Sequence, residues 1–529
     1  MKAVTHVFAP ALKSLAVAIP FLFAYTQSPL TNFWPLVVSA LCGWLIVMLS
    51  LARVNRPDEL RVELGRSLGW GLMLAGAFAS VIGLVQFFKG DVGLSPWIYQ
   101  STLGQAIGNV RQRNQQATLL LMSALALLLC SSHWLRKHEP EPFEAADSSA
   151  GAGENPWLTV FAAAAPWLLV LLAMGSGVTA SRTGAVEWMA LVVMLWFWRK
   201  SVGRLGLILG VAGLLAYLLA AWLLPELLLR WTGVQMDGLF MRVADTSHRC
   251  TSRVTLWTNM AYLIEQQPWT GWGWGELDYA HYSTLFPSER FCVLLDNAHN
   301  LPLHLAVELG LPVAIAFCLF VLWAVWRFKP WRETDGARQL AWGILALIGM
   351  HSMLEFPLWY GPFQLVAVLA IVILILPVRP VKLTPATATR WQVGLLVVCV
   401  AWVAGAYLIS SDFRRMAALY QLPQHREAQW RSLTAREVSE TSDFFTNQAE
   451  FAWLTTTTVT ADNAVQMHAM ARRMLHYSPE PRVITKLIDS SRILGMTGEV
   501  NEQMALFEIA YPEPYKAFVA KQPLPASTH

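Results

Sequence analysis

The sequence predicts an all-α polytopic membrane protein, and its composition carries that prediction. Of the 529 residues, 55% are hydrophobic and only 14% are charged, whereas soluble domains carry about 25% charged residues. The charged residues are also clustered, which leaves long uncharged stretches between them. Barrel strands alternate apolar and polar residues, so these continuous apolar runs favour transmembrane helices.

About eleven apolar runs are predicted to cross a hydrocarbon core, for which a helix of roughly 20 residues is sufficient. We expect the first run to be retained as a span, because it lacks a convincing small-residue cleavage site. The predicted spans are 12–26, 33–52, 68–88, 115–132, 157–175, 184–198, 205–224, 301–326, 339–358, 360–378 and 391–410.

Basic residues are concentrated in every second connection between these spans. The positive-inside rule places such connections in the cytoplasm together with the N-terminus. An odd number of spans then puts the segment after Ile409 on the periplasmic side of an inner membrane. The basic connections are 53–66, 136–137, 199–204, 327–338 and 379–390.

The chain is predicted to divide into a transmembrane domain at 1–410 and a periplasmic tail at 411–529. A large periplasmic loop at about 225–300 is rich in Trp, Gly, Arg and His, which indicates folded structure. The tail shows amphipathic helical periodicity, with a break at Ser478-Pro479 and another at Gly498. Short helical hairpins of this kind resemble a tetratricopeptide-like unit.

The first candidate site segment is Gly108–Gln116, directly before the fourth predicted span. It concentrates amide and guanidinium side chains, among them Gln112 and Arg113. Guanidinium groups suit bidentate binding of phosphate oxygens. The structural alternative is a solvated helix start at the membrane surface.

A second candidate group consists of arginines predicted to lie on the outer side. Arg182 stands alone between two apolar spans, and Arg249 and Arg253 lie in the long loop. Ionisable residues next to membrane spans are costly, so their default interpretation is functional. Converging arginines would cradle an anionic leaving group, whereas the structural alternative for Arg182 is an interfacial anchor.

The third candidate segment is Asp296–Asn300, where the outer loop re-enters the bilayer. It contains His299, and the imidazole is the side chain best suited to accept a hydroxyl proton near neutral pH. A single histidine is more often structural than catalytic. His304, further along, carries the same ambiguity.

The sequence contains no recognised metal-ligand spacing, no paired-cysteine motif and no Gly-rich phosphate loop, so we expect neither a metal nor a cofactor. The formal net charge of +4 is small for this length, and we expect no nucleic-acid partner. Cys250 and Cys292 both lie in the outer loop, where a periplasmic disulfide is chemically permitted. The sequence alone does not decide whether they are bonded.

The ordered set of these segments resembles the O-antigen ligase and polymerase superfamily, and within it the PglL-like O-linked oligosaccharyltransferases of Gram-negative bacteria. The first and last matching stretches favour the oligosaccharyltransferase branch. The stretches are Gly108–Ala117, Ser181–Thr183, Arg253 through Trp257 to Pro268, Gly271–Gly275, Ala298–Gly310 and His351–Tyr360.

The resemblance implies a GT-C-like membrane fold and a metal-independent transfer of a glycan from undecaprenyl pyrophosphate to a hydroxyl group. The acceptor would be a periplasmic protein such as pilin. The functionally important Gln, His and Tyr of the family match Gln112, His299 and Tyr360. Arginines that hold the pyrophosphate match Arg182 and Arg253.

Two alternatives stay open at this point. An O-antigen polymerase or a lipid A-core ligase would use a sugar chain or the lipid A core as acceptor. A transporter, which belongs to another class of protein, would favour intramembrane charge pairs and an inverted repeat. The ionisable residues instead cluster at one face, and no repeat is evident.

Overall fold

The computed structural model describes residues 2–136, 156–236, 238–244 and 249–521. Within these residues, every regular element is a helix. The chain divides into two compact units. The first unit comprises Met1–Asp245 and Val325–Gly405, and the second comprises Thr246–Ala324 and Ala406–His529.

The α-helices are numbered in chain order. The first ten are α1 (Lys2–Leu22), α2 (Phe33–Ser50), α3 (Pro57–Lys89), α4 (Arg113–Arg136), α5 (Pro156–Gly177), α6 (Arg182–Phe197), α7 (Arg199–Thr232), α8 (Leu239–Ala244), α9 (Arg253–Gln266) and α10 (Leu277–Ser283). The others are α11 (Leu301–Leu309), α12 (Leu311–Phe328), α13 (Gly336–Ser352), α14 (Gly361–Ile375), α15 (Pro385–Ala417), α16 (Ala435–Thr441), α17 (Thr446–Thr456), α18 (Ala464–Tyr477), α19 (Pro481–Ile493), α20 (Thr497–Ala510) and α21 (Pro512–Ala520).

Among the described residues, six helices are long and apolar enough to cross a membrane, namely α2, α3, α4, α7, α12 and α15. Shorter apolar helices cover Phe8–Leu22, Ala163–Gly177 and Gly361–Ile375. The protein is therefore an α-helical polytopic membrane protein. Helices α6 and α13 also coincide with predicted spans but belong to neither group, so the count of eleven stays a prediction.

The predicted span 301–326 is wrong as a single helix, because the chain breaks at Gly310 between α11 and α12. Gly310 has a φ of +83°, and a Cβ atom there would lie 2.3 Å from the Trp269 carbonyl oxygen. Leu311 N–H donates to the Pro268 carbonyl oxygen at 2.8 Å. The close approach of the loop at 268–269 therefore requires glycine and ends α11.

In the first unit, α4 is the central helix, and α3, α5, α6, α7 and α13 all pack against it. The residues from Leu119 to Leu128 are fully or almost fully buried, as expected for a helix that is apolar on every side. Gly76 allows α3 to approach Ser123 of α4 closely. The N-terminus of α4, which carries the first candidate segment, is thus held by several helices.

In the second unit, the outer loop and the tail share one fold. Tyr282 of α10 lies in the apolar core of the tail helices, and its hydroxyl donates to Gln503 of α20 at 2.9 Å. Helices α18, α19 and α20 cover the three predicted helical segments of the tail. The predicted break at Gly498 is wrong. The turn is at Gly495, which has a φ of +74°, and α20 already begins at Thr497.

Candidate active site

Several polar side chains of the first candidate segment hold its own loop in place. The Asn109 amide donates to the carbonyl oxygens of Leu22, at 2.6 Å, and Trp97, at 2.9 Å. Gln86 of α3 accepts the Gly108 N–H at 2.7 Å. Gln116 donates to the Ala79 carbonyl oxygen at 2.7 Å. These groups are structural, and they fix the position at which α4 begins.

Gln112 lies immediately before α4 and is half-buried. Its side-chain oxygen accepts the Gln115 N–H at 3.0 Å, which caps the helix. Among the described residues, its side-chain NH₂ group has no hydrogen-bond partner, so two donors remain for a bound molecule. Arg113, the next residue, lines a small notch together with Thr179 and Ala180.

Asn114 connects three separate segments of the first unit. Its side-chain oxygen accepts the Ser181 hydroxyl at 2.7 Å, and its NH₂ group donates to a Glu355 carboxylate oxygen at 2.9 Å. Glu355 is buried. Asn114 therefore joins the segment of Gln112 to the turn that precedes Arg182 and to the segment that leads to Tyr360.

One turn further along α4, Thr118 repeats the connection between the same elements. Its hydroxyl oxygen lies 2.7 Å from a Glu187 carboxylate oxygen of α6 and 2.7 Å from His351 Nδ1 of α13. All three side chains are fully buried, and the second Glu187 oxygen has no partner among the described residues. A buried, incompletely paired carboxylate is costly. The presence of Glu187 in this group of three side chains therefore indicates a role other than stabilising the fold.

Arg182 is the first residue of α6 and is exposed. The Ser181 side chain caps this helix by accepting the Gly184 N–H at 3.0 Å. The preceding residue, Ala180, has a φ of +48°, and its carbonyl oxygen accepts a hydrogen bond from Arg242 at 3.0 Å. Arg182 makes no ion pair within the described part of the chain. Its guanidinium at a helix N-terminus is suited to bind an anion.

Tyr360 follows the segment that contains Glu355 and is half-buried. The Arg111 guanidinium lies 6.0 Å from the centre of the Tyr360 ring. Arg111 also donates to the Thr31 carbonyl oxygen at 3.0 Å and to the Asn32 side chain. Arg111 has a φ of +64°. Arg111 therefore contacts the candidate tyrosine.

In the second unit, His299 is held in a left-handed conformation with a φ of +49°. Its backbone N–H donates at 2.7 Å to the side-chain oxygen of the buried Asn297. Asn300 caps α11 by accepting the Leu303 N–H at 3.1 Å. A non-glycine residue with such a φ is uncommon, and strained residues of this kind concentrate at functional sites. The Asp296–Asn300 segment therefore positions the imidazole at the start of α11.

The Gly271–Gly275 segment fixes the other end of α11. Trp272 N–H donates to the Val307 carbonyl oxygen at 2.8 Å, and Gly273 N–H donates to that of Glu308 at 3.0 Å. Gly271 has a φ of +68°, and a Cβ atom there would lie 2.4 Å from the Glu308 backbone. Glycine is therefore required, and both ends of α11 are anchored within the outer loop.

Arg253 is the first residue of α9, which Ser252 caps by accepting the Thr255 N–H at 3.1 Å. Cys250 and Cys292 form a disulfide with a Cα–Cα distance of 5.4 Å. The bond ties the start of α9 to the segment before Asp296. The side chain of Arg249 lies outside the described residues.

The structure thus brings the segments of Gln112, Arg113, Arg182 and Tyr360 together in the first unit, and it places His299 and Arg253 in the second. Sequence reasoning missed Asn114, Thr118, Glu187 and Glu355 as connecting residues. A lone acidic residue in an apolar span is a detectable signal, and Glu187 carries it. Among the described residues, no three His, Cys, Asp or Glu side chains are grouped as metal ligands.

Comparisons with known proteins add a family assignment to this geometry. A protein glycosylation ligase model matches residues 106–129, an O-antigen ligase model matches 167–318, and a model of the C-terminal part of membrane-bound polymerase virulence factors matches 339–524. A general O-oligosaccharyltransferase of Acinetobacter baylyi (strain ATCC 33305 / BD413 / ADP1) is 26% identical over 175 residues, which cover 31% of this chain and 30% of that protein. These matches support a PglL-like member of the O-antigen ligase superfamily.

Proposed function

We propose that the protein is an O-linked oligosaccharyltransferase. It transfers a glycan from undecaprenyl pyrophosphate to Ser or Thr hydroxyls of a periplasmic protein such as pilin. The observation that carries the proposal is the set of hydrogen bonds made by Asn114, which joins the segments of Gln112, Arg182 and Tyr360. The protein glycosylation ligase model matches this part of α4, and this match favours a protein acceptor.

The proposal includes eleven crossings of the inner membrane, a cytoplasmic N-terminus and a periplasmic C-terminus. Contacts between the predicted cytoplasmic connections support this topology. Arg61 pairs with Asp335 and donates to the Pro377 carbonyl oxygen at 3.1 Å. Trp198 donates to the Pro330 carbonyl oxygen at 2.8 Å. Val381 N–H also donates to the Asp58 carboxylate at 3.4 Å. Connections 53–66, 327–338 and the start of 379–390 therefore lie at one face of the first unit together with Trp198, which directly precedes 199–204, whereas 136–137 is not fully described.

The proposed reaction needs charge neutralisation and removal of one proton. The acceptor oxygen forms a bond to the anomeric carbon while the bond from that carbon to the pyrophosphate oxygen breaks. The leaving pyrophosphate takes the electron pair, and Arg182 and Arg253 stabilise its charge. His299 accepts the hydroxyl proton. Gln112 and Tyr360 orient the reacting groups, and in this proposal no metal or cofactor participates.

A second candidate function is an O-antigen polymerase or lipid A-core ligase, which the matches at 167–318 and 339–524 favour. Mass spectrometry of periplasmic proteins and outer-membrane glycans separates the two. A strain that lacks this protein should lose glycans from pilin or another periplasmic protein, and the wild-type chain should restore them. Unchanged glycoproteins together with shorter surface glycans or an unmodified lipid A core would contradict the proposal and support the second candidate.

A further inference from the structure

An open cleft lies between the outer loop and the tail, within the second unit. One wall is formed by Trp274 to Asp278 and by Asp296, and the other by α17 and α18. Its volume is about 650 Å³, which falls in the range of roughly 300–1,000 Å³ that small-molecule sites occupy. None of the residues proposed above for the reaction lines this cleft.

The walls of the cleft are held together by direct contacts. The His476 ring of α18 stacks on Tyr279 of α10 with 3.8 Å between ring centres, and His476 Nδ1 lies 2.7 Å from a Glu276 carboxylate oxygen. On the tail wall, Arg473 pairs with Glu450 at 2.8 Å. The cleft is thus a built feature of the second unit.

The lining is suited to a neutral polyhydroxylated ligand. Arg473 pairs with Glu450 and His476 contacts Glu276, while Asp278 and Asp296 add two further carboxyl groups, so the lining offers hydrogen-bond donors together with an excess of acceptors. Asn447 adds a planar amide with donors and an acceptor. A purely cationic ligand would not require the donors, and a purely anionic ligand would not require the acceptors.

Trp274 supplies an aromatic surface at the edge of the cleft. Its side chain is 67% exposed, which is high for a residue of this size in a folded loop. Indole faces pack against flat, partly apolar ligand surfaces while polar neighbours fix the orientation. An exposed tryptophan beside paired donors and acceptors is a combination that suits a sugar ring.

Asp278 supports the same ligand class. Burial, with smaller contributions from the nearby Glu276 and Asp296 carboxylates, raises its pKa to about 7. Near neutral pH the carboxyl group therefore holds a proton in part of the molecules, so that it can donate as well as accept a hydrogen bond.

The cleft also reaches the segment that carries His299. Asp296 lines the cleft and precedes His299 by three residues. Three residues of chain span at most about 11 Å. The Cα atoms of Asp296 and His299 are therefore at most about 11 Å apart.

We propose that the cleft between Trp274–Asp278 and the tail helices α17 and α18 is a carbohydrate-binding site that holds sugar units of the transferred glycan. This inference rests on the proposed function for the source of the sugar, but the site itself is independent of the reaction. The sugar can come from the lipid-linked donor or from a glycosylated product, and both present the same ring hydroxyls.

The experiment measures binding to the purified full-length protein without any transfer reaction. The probe is the oligosaccharide released by mild acid from the polyprenyl-linked glycan of the producing bacterium, and binding is followed by calorimetry. Trp274→Ala should weaken binding about tenfold, and Asn447→Ala should weaken it by a smaller factor. Trp269→Ala is the matched control, because Trp269 lies in the same loop, is 78% exposed and does not line the cleft.

Equal binding by the wild type, Trp274→Ala and Asn447→Ala would overturn the proposed site. A loss of binding in Trp269→Ala as large as that in Trp274→Ala would also overturn it. A glycosylated acceptor peptide that binds more tightly than the released oligosaccharide points to the product as the source of the sugar, and equal binding of the two points to the donor. If the oligosaccharide binds and the variants weaken it, while the deletion strain shows no change in protein glycosylation, the site stands and the proposed function fails. If glycosylation is lost but the released oligosaccharide does not bind, the site fails alone.

Discussion

The hydrogen bond between Asn114 and Glu355 allows a quantitative test of how the first unit is assembled. The acceptor is a carboxylate that is 7% exposed, and the distance is 2.9 Å. A hydrogen bond to a charged group contributes about 1.5–3 kcal/mol, and the bond from Ser181 contributes about 1 kcal/mol. Asn114→Ala should therefore lower the free energy of unfolding by about 3 kcal/mol.

A double-mutant cycle isolates the Asn114–Glu355 contribution from the others. We expect Asn114→Ala and Glu355→Ala to show a coupling energy of about 2 kcal/mol. The assay is unfolding of the purified protein in mixed detergent micelles, with helix content as the signal. Glycan transfer by the same variants should fall by more than the loss of folded protein accounts for, because Asn114 also positions the Gln112 and Arg182 segments.

The control cycle pairs Asn114→Ala with Glu226→Ala. Glu226 lies in the same unit, pairs with Arg230 on the surface and makes no hydrogen bond or ion pair with Asn114. That pair should be additive within about 0.5 kcal/mol. If the Asn114–Glu355 cycle were equally additive, the connection inferred between these segments would be refuted.

Two further predictions concern the second unit. Gly271→Ala should destabilise this unit by several kcal/mol, because the new Cβ atom meets the Glu308 backbone. Gly275→Ala has open space around the new Cβ atom and should cost only about 1–2 kcal/mol for its φ of +80°. Thermal unfolding that ranks the two variants equally would contradict this. The raised pKa of Asp278, about 7 against an ordinary 3.8, means that the folded chain holds a proton that the unfolded chain releases. Stability should therefore fall as the pH rises from about 4 to about 7. Asp278→Asn should reduce this slope of stability against pH, which melting temperatures across the same pH range measure. An unchanged slope would show that Asp278 does not titrate there.

Much of the helical architecture could be predicted from the sequence because membrane spans must be long and apolar. The predicted spans fall on helices, and the tail helices follow their apolar periodicity. The break at Gly310 could not be predicted in the same way. It depends on the approach of the loop at Trp269, which is distant in sequence, and apart from His304 and Glu308 the run from Leu301 to Trp326 is largely apolar.

The candidate residues were predictable by type, but their contacts were not. A dense polar segment before α4 predicts a functional surface, yet nothing in it shows that Asn109 holds the loop, that Gln112 caps the helix or that Asn114 connects to Glu355. The left-handed conformations of Ala180 and His299 are also unpredictable, since such a φ is uncommon for any residue other than glycine. These features depend on tertiary contacts, which the sequence pattern does not encode locally.

His299 is the proposed base in the transfer of a glycan to a hydroxyl group. The most direct measurement is mass spectrometry of periplasmic glycoproteins from a deletion strain that expresses the wild type, His299→Ala or the control His425→Ala, whose imidazole is exposed in the tail. With equal membrane levels of the three proteins, His299→Ala should reduce protein glycosylation by about 100-fold or more, while His425→Ala should retain it. Glycosylation by His299→Ala at nearly the wild-type level would contradict the claim.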